Sequence, residues 1–347
     1  LPPLPPPYPP ASRESLARMS KKVVRVNFVD SSSKAFAIDV NATAHQLRDL
    51  IVERIGLKED SCFALFEKNG DWERCLDHDE RPADLLEQWE KLQSDKKKES
   101  DYQFVFKKKI FLKDDDREME DPVAKDLVYK QAVYNVINAD YPVNVDECIK
   151  LAALQMQVVY GDYNTSVHTS GFLVDHSQWK QFIPKSFHGQ KKPSEWEQMI
   201  YKQYSQLKDK SAETAKSDYL TIVKEKHDYG TTFYPPCKSV NNHKLPNKVI
   251  IGVNYEGIRL LKPKNKELLS EHLFTEICSW ASSNNSFAFE FGNQNDSQKY
   301  TFETKQGAII ASTIQTYIDI LVQMLKNGDE EDEESEQTTS QSSDGER

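Results

Sequence analysis

Apolar residues recur with different periods along the chain, and each period predicts a different kind of lobe. Between Lys21 and Leu112 apolar and polar residues mostly alternate, as in half-buried strands. Two helices interrupt the alternation. The first is opened by Asn41-Ala42-Thr43 and ended by Gly56, and the second is predicted at Asp84 to Leu92. Asn69-Gly70 is a hairpin turn signal, and a last strand follows at Tyr102 to Phe106. This order of elements predicts a ubiquitin-like β-grasp lobe.

From Lys113 to Asp228 the apolar residues recur every three or four positions, which predicts a bundle of helices. The central helix of this stretch is LAALQMQVVYGDY, Leu151 to Tyr163, and Gly161 ends it. Three more helices are predicted around it, at Val123 to Ile137, Glu195 to Leu207 and Ser211 to Val223.

The period changes again from Lys248 to Asn327. Phe287, Phe289 and Phe291 alternate with polar or small residues, as expected of a strand with one buried face. Gly307 then opens a helix with apolar residues at helical spacing. About seven short strands capped by one C-terminal helix is the pleckstrin-homology or phosphotyrosine-binding plan. The whole chain is therefore predicted to be a multidomain α+β protein.

Composition and charge narrow the class of protein. The chain of 347 residues is 38% hydrophobic and 29% charged, and no run approaches the roughly 20 apolar residues of a membrane span. The nine acids and one arginine from Asp329 onward account for −8 of the net charge of −10, so the body is near neutral and the tail is predicted to be disordered. Five scattered cysteines indicate reduced thiols and a cytoplasmic location.

Motifs of catalysis and of cofactor binding are missing from the sequence. It contains no glycine-rich phosphate loop, zinc-binding His-Glu motif, serine elbow or paired-cysteine zinc site, and its eight histidines do not cluster. We therefore expect no enzyme activity, no cofactor and no metal. A near-neutral body without a basic, aromatic-interleaved stripe also argues against a nucleic-acid partner.

Several of these stretches together resemble a FERM domain, a partner-binding module of three lobes. The resemblance rests on LVYKQ at Leu127 to Gln131, on Tyr141-Pro142 and LAALQMQVVYGDY after it, and on FVFKKKIFL at Phe104 to Leu112. It implies a ubiquitin-like first lobe, a second lobe like acyl-CoA-binding protein and a pleckstrin-homology-like third lobe. The expected boundaries are 1–20 for a proline-rich linker, 21–112, 113–228 and 229–328 for the lobes, and 329–347 for the acidic tail.

Two branches of the family compete. GFLVDHSQWKQFIPKSF at Gly171 to Phe187, Trp280 and TYIDILVQMLK at Thr316 to Lys326 resemble talin. YPPASRESLARMSKKVVRVNF at Tyr8 to Phe28 instead resembles the joint between a myosin-tail homology 4 domain and a FERM domain, as in class VII-type myosins and some kinesins. The second resemblance implies a myosin-tail module at the cell cortex that binds cargo or receptor tails, and the motor domain in a fold-back state. A talin-like adaptor that links receptors to actin, or a kinesin tail, is the alternative.

The segment LPPLPPPYPP, Leu1 to Pro10, predicts an extended polyproline II conformation. Two uses are open: a ligand for a Src-homology-3 or WW domain, or a spacer, and the spacer is favoured. Ser12 to Ser20 is predicted to be a short helix.

One short strand of the third lobe is the candidate peptide-binding site, because an extended partner can add a strand to an open sheet edge. In talin the matching strand pairs with a receptor tail, and its tryptophan sits beside an arginine. Here the tryptophan is Trp280 and the arginine position is Ser279, so the resemblance implies the same binding mode with another preference. The alternative is that Trp280 is core against the final helix. The candidate residues are Ile277, Cys278, Ser279, Trp280, Ala281 and Ser282.

Clusters of lysines are candidates for a second function, binding to an anionic membrane surface. The alternative for each cluster is a solvated face of the protein. The candidates are Lys107, Lys108 and Lys109 at the junction of the first two lobes, Lys185, Lys191 and Lys192 in the second, and Lys262, Lys264 and Lys266 in the third.

Overall fold

The computed structural model describes residues 21–70, 72–95, 101–112, 120–240, 244–293 and 296–341. The proline-rich linker and the short helix predicted at Ser12 to Ser20 therefore lie outside the described residues. The chain divides into two compact units, residues 1–109 with 114–227 and residues 110–113 with 228–347.

The first lobe is a five-stranded mixed sheet with two helices. The elements are β1 (Lys21–Phe28), β2 (Ser33–Asp39), α1 (Ala44–Ile55), β3 (Phe63–Asn69), β4 (Trp72–Cys75), α2 (Pro82–Asp95) and β5 (Tyr102–Lys108). The strands run in the order β2-β1-β5-β3-β4, with β1 and β5 parallel and the other neighbours antiparallel.

Helix α1 begins and ends where the sequence predicts. The Thr43 side chain accepts a hydrogen bond from the Gln46 N–H, and the Gln46 side chain accepts one from the Thr43 N–H. At the other end Gly56 adopts φ +72°, a conformation that glycine reaches without strain. Of the apolar residues at helical spacing in this helix, Leu47 and Ile51 are fully buried, whereas Leu50 is 41% exposed.

The second lobe is helical and packs around one aromatic cluster. Trp196, Ile200 and Tyr204 of one helix are fully buried together with Ala152 and Met156 of the central helix. The elements are α3 (Pro122–Ile137), α4 (Val145–Tyr160), α5 (Pro193–Tyr204) and α6 (Ala212–Lys224), with 3₁₀ turns at Asp175–Gln181, Lys185–Phe187 and Ser205–Leu207.

The third lobe is a β-structure with the last helix packed against it. The elements are β6 (Thr232–Phe233), β7 (Cys237–Val240), β8 (Lys248–Val253), β9 (Gly257–Leu261), β10 (Leu268–Leu273), β11 (Ile277–Ser283), β12 (Ser286–Asn293), β13 (Asp296–Glu303) and α7 (Gly307–Gln341). The strands run in the order β10-β9-β8-β7-β13-β12-β11, and the two-residue strand β6 pairs with β8.

Helix α7 differs from the sequence predictions in two respects. Its backbone continues to Gln341, past Asp329, where disorder was predicted; glutamate is a good helix former, which favours this extension. Its segment Gly307–Met324 is also apolar and long enough to cross a membrane by length and composition alone, contrary to the sequence expectation. Ile310, Ile314 and Tyr317 of that segment are fully buried, as in a core helix of the lobe.

Candidate functional site

Strand β11 lies at the end of the third-lobe sheet. It pairs with β12 along one edge, and no other strand in the described parts of the chain pairs with its outer edge. Helix α7 packs against both β11 and β12, so the outer edge of β11 lies beside the helix that closes the lobe. An unpaired row of backbone N–H and C=O groups is a template for an added strand.

A β-bulge changes which residues of β11 share a face. Simple alternation predicts that Cys278 lies on the same face as Trp280, but the register shifts between Ile277 and Ser279, and Cys278 is the extra residue. Since directly opposite residues lie on one face of a sheet, Trp280 shares the face of its partner Phe289. By the same argument Ile277, opposite Phe291, lies on that face as well.

Trp280 is half-buried, whereas its cross-strand partner Phe289 is 1% exposed. The phenylalanine belongs to the core under the sheet, and the tryptophan lies at the rim of that core, on the terminal strand. This burial is intermediate between the two predicted roles, because the Trp280 side chain is neither fully buried nor fully exposed.

The opposite face of β11 carries only small side chains. Ser279, Ala281 and Ser283 are exposed and lie opposite Glu290, Ala288 and Ser286 of β12. The exposed Cys278 thiol donates a hydrogen bond to the Gly292 carbonyl at 3.1 Å. A partner strand can therefore approach this edge without meeting a large side chain on the outer face.

The lysines at the end of β5 do not form the lipid-binding cluster that the sequence predicts. Lys108 is only 1% exposed, so we withdraw it as a membrane-facing residue. The sequence already hints at this burial, because Lys108 follows the buried Phe104 and Phe106 on one face of β5. Its main-chain N–H and C=O both bond to the Gln131 side-chain amide, each at 3.0 Å.

Lys107 is half-buried and is held by a carboxylate. Its ammonium group pairs with Glu73 and lies 4.5 Å from the centre of the Phe66 ring. Burial acts to raise the pKa of Glu73, but the ammonium groups of Lys107 and Lys68 together hold that pKa below its usual range. Lys109 is half-buried too, so this junction offers little accessible positive charge.

The other candidate lysines differ in how accessible they are. Lys185, Lys192 and Lys264 are exposed and stay candidates for an anionic surface. The remaining three are half-buried and lie near other groups. Lys191 Nζ is 5.9 Å from the centre of the Trp196 ring, and Lys266 Nζ is 4.3 Å from the centre of the Phe233 ring. Lys262 Nζ is 2.7 Å from Glu267 Oε1.

Comparison with known families assigns each lobe separately. Residues 20–110 match the RA like domain, residues 114–234 the FERM central domain and residues 235–322 the PTB domain (IRS-1 type). This order of three lobes is the one that the sequence motifs imply, and it confirms the predicted α+β fold class.

A curated relative covers nearly the same span of the chain. Talin-B from Dictyostelium discoideum is 28% identical over 307 residues, which is 88% of this chain and 11% of talin-B. The chain thus spans about a ninth of the length of that relative.

Solved structures agree in fold. The myosin VII MyTH4-FERM MF2 domain of Dictyostelium discoideum superimposes with a TM-score of 0.71 at 22% identity, covering 88% of this chain and 60% of that one. The C-terminal MyTH4-FERM domain of human myosin 7b, solved in complex with the harmonin-a PDZ3 domain, gives a TM-score of 0.66 at 22% identity, covering 90% and 64%.

Proposed function

We propose that this chain, a three-lobed FERM domain, is a non-catalytic adaptor module whose third lobe binds an extended segment of a partner protein along β11. The observation that carries the proposal is the open outer edge of β11 beside α7, with the half-buried Trp280 at its rim. The backbone of the added segment would bond to the edge, and its alternate side chains would face Trp280 on one side and the small residues on the other.

Trp280 supplies the anchor in this account. An aromatic side chain that is partly desolvated at a binding edge is the type of residue that dominates interface energies, by roughly 2 kcal/mol or more. Ile277, on the same face, widens the apolar contact. Backbone pairing fixes the register of the partner. The Trp280 and Ile277 side chains then favour an apolar residue on the inward face of the partner.

Replacing Trp280 with alanine is expected to weaken partner binding at least tenfold while the melting temperature changes little. The probe is a ten-residue peptide selected from a random displayed library against the whole chain, and the Kd is measured by calorimetry. Val159→Ala, an exposed residue of α4 in the second lobe, is the matched control and should bind normally. A large loss of thermal stability, or an unchanged Kd, would show that Trp280 belongs to the core only.

We further propose that the parent protein is an unconventional myosin, in whose tail this module binds cargo or receptor tails at the cell cortex. The joint-like stretch at Tyr8 to Phe28 and the likeness to myosin VII MyTH4-FERM domains support this assignment. The PDZ complex of the human myosin 7b domain supports a protein partner for such a module. A talin-like adaptor is the second candidate, favoured by the identity to talin-B. The sequence of the complete reading frame decides between them: a motor domain upstream supports the first, a talin rod downstream the second.

A further inference from the structure

We propose that Glu290 sets the charge preference of the β11 edge, so that the added segment carries a basic residue on its outer face opposite Ser279. This inference rests on the proposed function, since it needs a strand paired with β11. It goes further by assigning a specificity-determining residue outside the edge strand and a chemical class to the partner.

The Glu290 carboxylate lies on the outer face of β12, directly opposite Ser279. It accepts hydrogen bonds from two hydroxyls, Ser297 Oγ at 2.5 Å and Ser279 Oγ at 3.4 Å. Among the described residues it forms no ion pair, so a negative charge stands one strand in from the open edge, held in place by neutral groups.

Small side chains leave the path from the edge to this carboxylate open. Adjacent strands lie about 4.8 Å apart, so an added strand would lie roughly 9.6 Å from β12. Ser279 is the residue between them, and its short side chain does not fill that gap. A lysine or arginine on the added strand opposite Ser279 can reach across it toward Glu290.

The other charged groups near this face do not reverse the negative charge that Glu290 places near the open edge of β11. Lys299 is opposite Glu290 on β13, but β13 lies on the side of β12 away from β11. Glu276 immediately precedes β11 and adds a second negative charge at the start of the edge. A partner that approaches from outside therefore meets Glu290 before Lys299, and acidic residues in the partner are disfavoured.

The two faces together define the partner as an extended segment with apolar residues toward Trp280 and a basic residue on the outer face. Neither property alone is selective, because apolar alternation is common to strands. The combination is specific, because the basic residue must alternate in register with the residue that contacts the tryptophan.

The test uses the library-selected peptide with lysine, alanine or glutamate substituted at its outward-facing positions, one at a time. Binding of these peptides is measured to the whole chain and to Glu290→Gln, Glu290→Lys and Asp296→Asn variants. Asp296 is an exposed acid of the same lobe on β13, at the β12–β13 turn, and serves as the matched control.

At one outward position, the lysine peptide should bind the wild-type chain roughly twofold to fivefold more tightly than the alanine peptide, the range typical of exposed ion pairs. The glutamate peptide should bind correspondingly more weakly. Glu290→Gln should abolish the preference and Glu290→Lys should invert it, whereas Asp296→Asn should leave it unchanged. Raising the salt concentration should reduce it.

The outcomes separate this inference from the function on which it rests. If the alanine peptide binds through Trp280 but lysine and glutamate bind equally, or if Glu290→Lys leaves the order unchanged, the role of Glu290 is wrong and the edge site stands. If peptide binding does not depend on Trp280, the edge site itself is wrong, and this inference fails with it.

Discussion

Replacing Arg259 with alanine is expected to destabilise the third lobe by roughly 3–5 kcal/mol, enough to unfold a marginally stable lobe. The Arg259 side chain, on β9, is only 3% exposed. Its Nη1 lies 2.5 Å from Asp228 Oδ1 and its Nε lies 3.0 Å from Glu271 Oε1. Removing the guanidinium would take away the Arg259 charge that pairs with the Asp228 carboxylate, whose side chain is only 10% exposed.

Charge and volume can be separated with two further variants. Arg259→Lys keeps the charge but not the planar fork, and we expect an intermediate loss. Arg259→Met combined with Asp228→Asn removes both charges of the pair and should recover part of the stability lost in Arg259→Met alone, because a missing partner costs more than a missing pair. Urea midpoints with hydrogen exchange of β9 and β10 measure each effect. A loss below about 1 kcal/mol for Arg259→Ala would mean that water or another group compensates the carboxylate.

Replacing Trp196 with alanine is expected to cost the second lobe roughly 3–5 kcal/mol, the usual range for truncating a buried aromatic residue. Trp196 is fully buried in α5, and its ring centre lies 5.9 Å from that of Phe187. The cavity would open in the middle of the cluster that joins α4 and α5, where Ala152 and Met156 are also fully buried. Close packing on all sides limits how far the site can collapse.

The size of the Trp196 effect is judged against an exposed residue of the same lobe. Val159 is 56% exposed near the end of α4, and Val159→Ala should change stability by no more than about 0.5 kcal/mol. Thermal melts of both variants give the comparison. Equal melting temperatures for the two would contradict the cluster as the core of this lobe.

The spacing of apolar residues predicts most of the fold, because each helix and strand of a lobe buries one of its faces. The helix from Ala44 to Ile55 shows this well: its buried residues, its Thr43 cap and its terminal Gly56 are all visible as sequence signals. The alternating phenylalanines of β12 likewise predict a strand with one buried face, and Phe287 and Phe289 are buried as expected.

The sequence predicts less of the candidate site than of the fold. No turn or glycine signal marks the bulge at Cys278, so alternation along β11 placed it on the wrong face relative to Trp280. The prediction for Lys108 was wrong for another reason. Its charge suggested a surface residue, although its two-residue spacing from the buried Phe106 indicates the inward face of β5. Glu290 could have been found, because it lies between Phe289 and Phe291 and must face outward, but its meaning depends on a register with Ser279 that the sequence does not contain.

Amide hydrogen exchange along β11 tests the strand-addition account most directly. The rates for residues Ile277 to Ser283 are measured in the whole chain with and without the library-selected peptide at saturating concentration. Strand addition predicts that alternate amides of β11, those pointing away from β12, become strongly protected, since each then donates to the partner backbone. If the peptide is bound and the exchange of these amides is unchanged, the partner does not pair with β11 and the account is wrong.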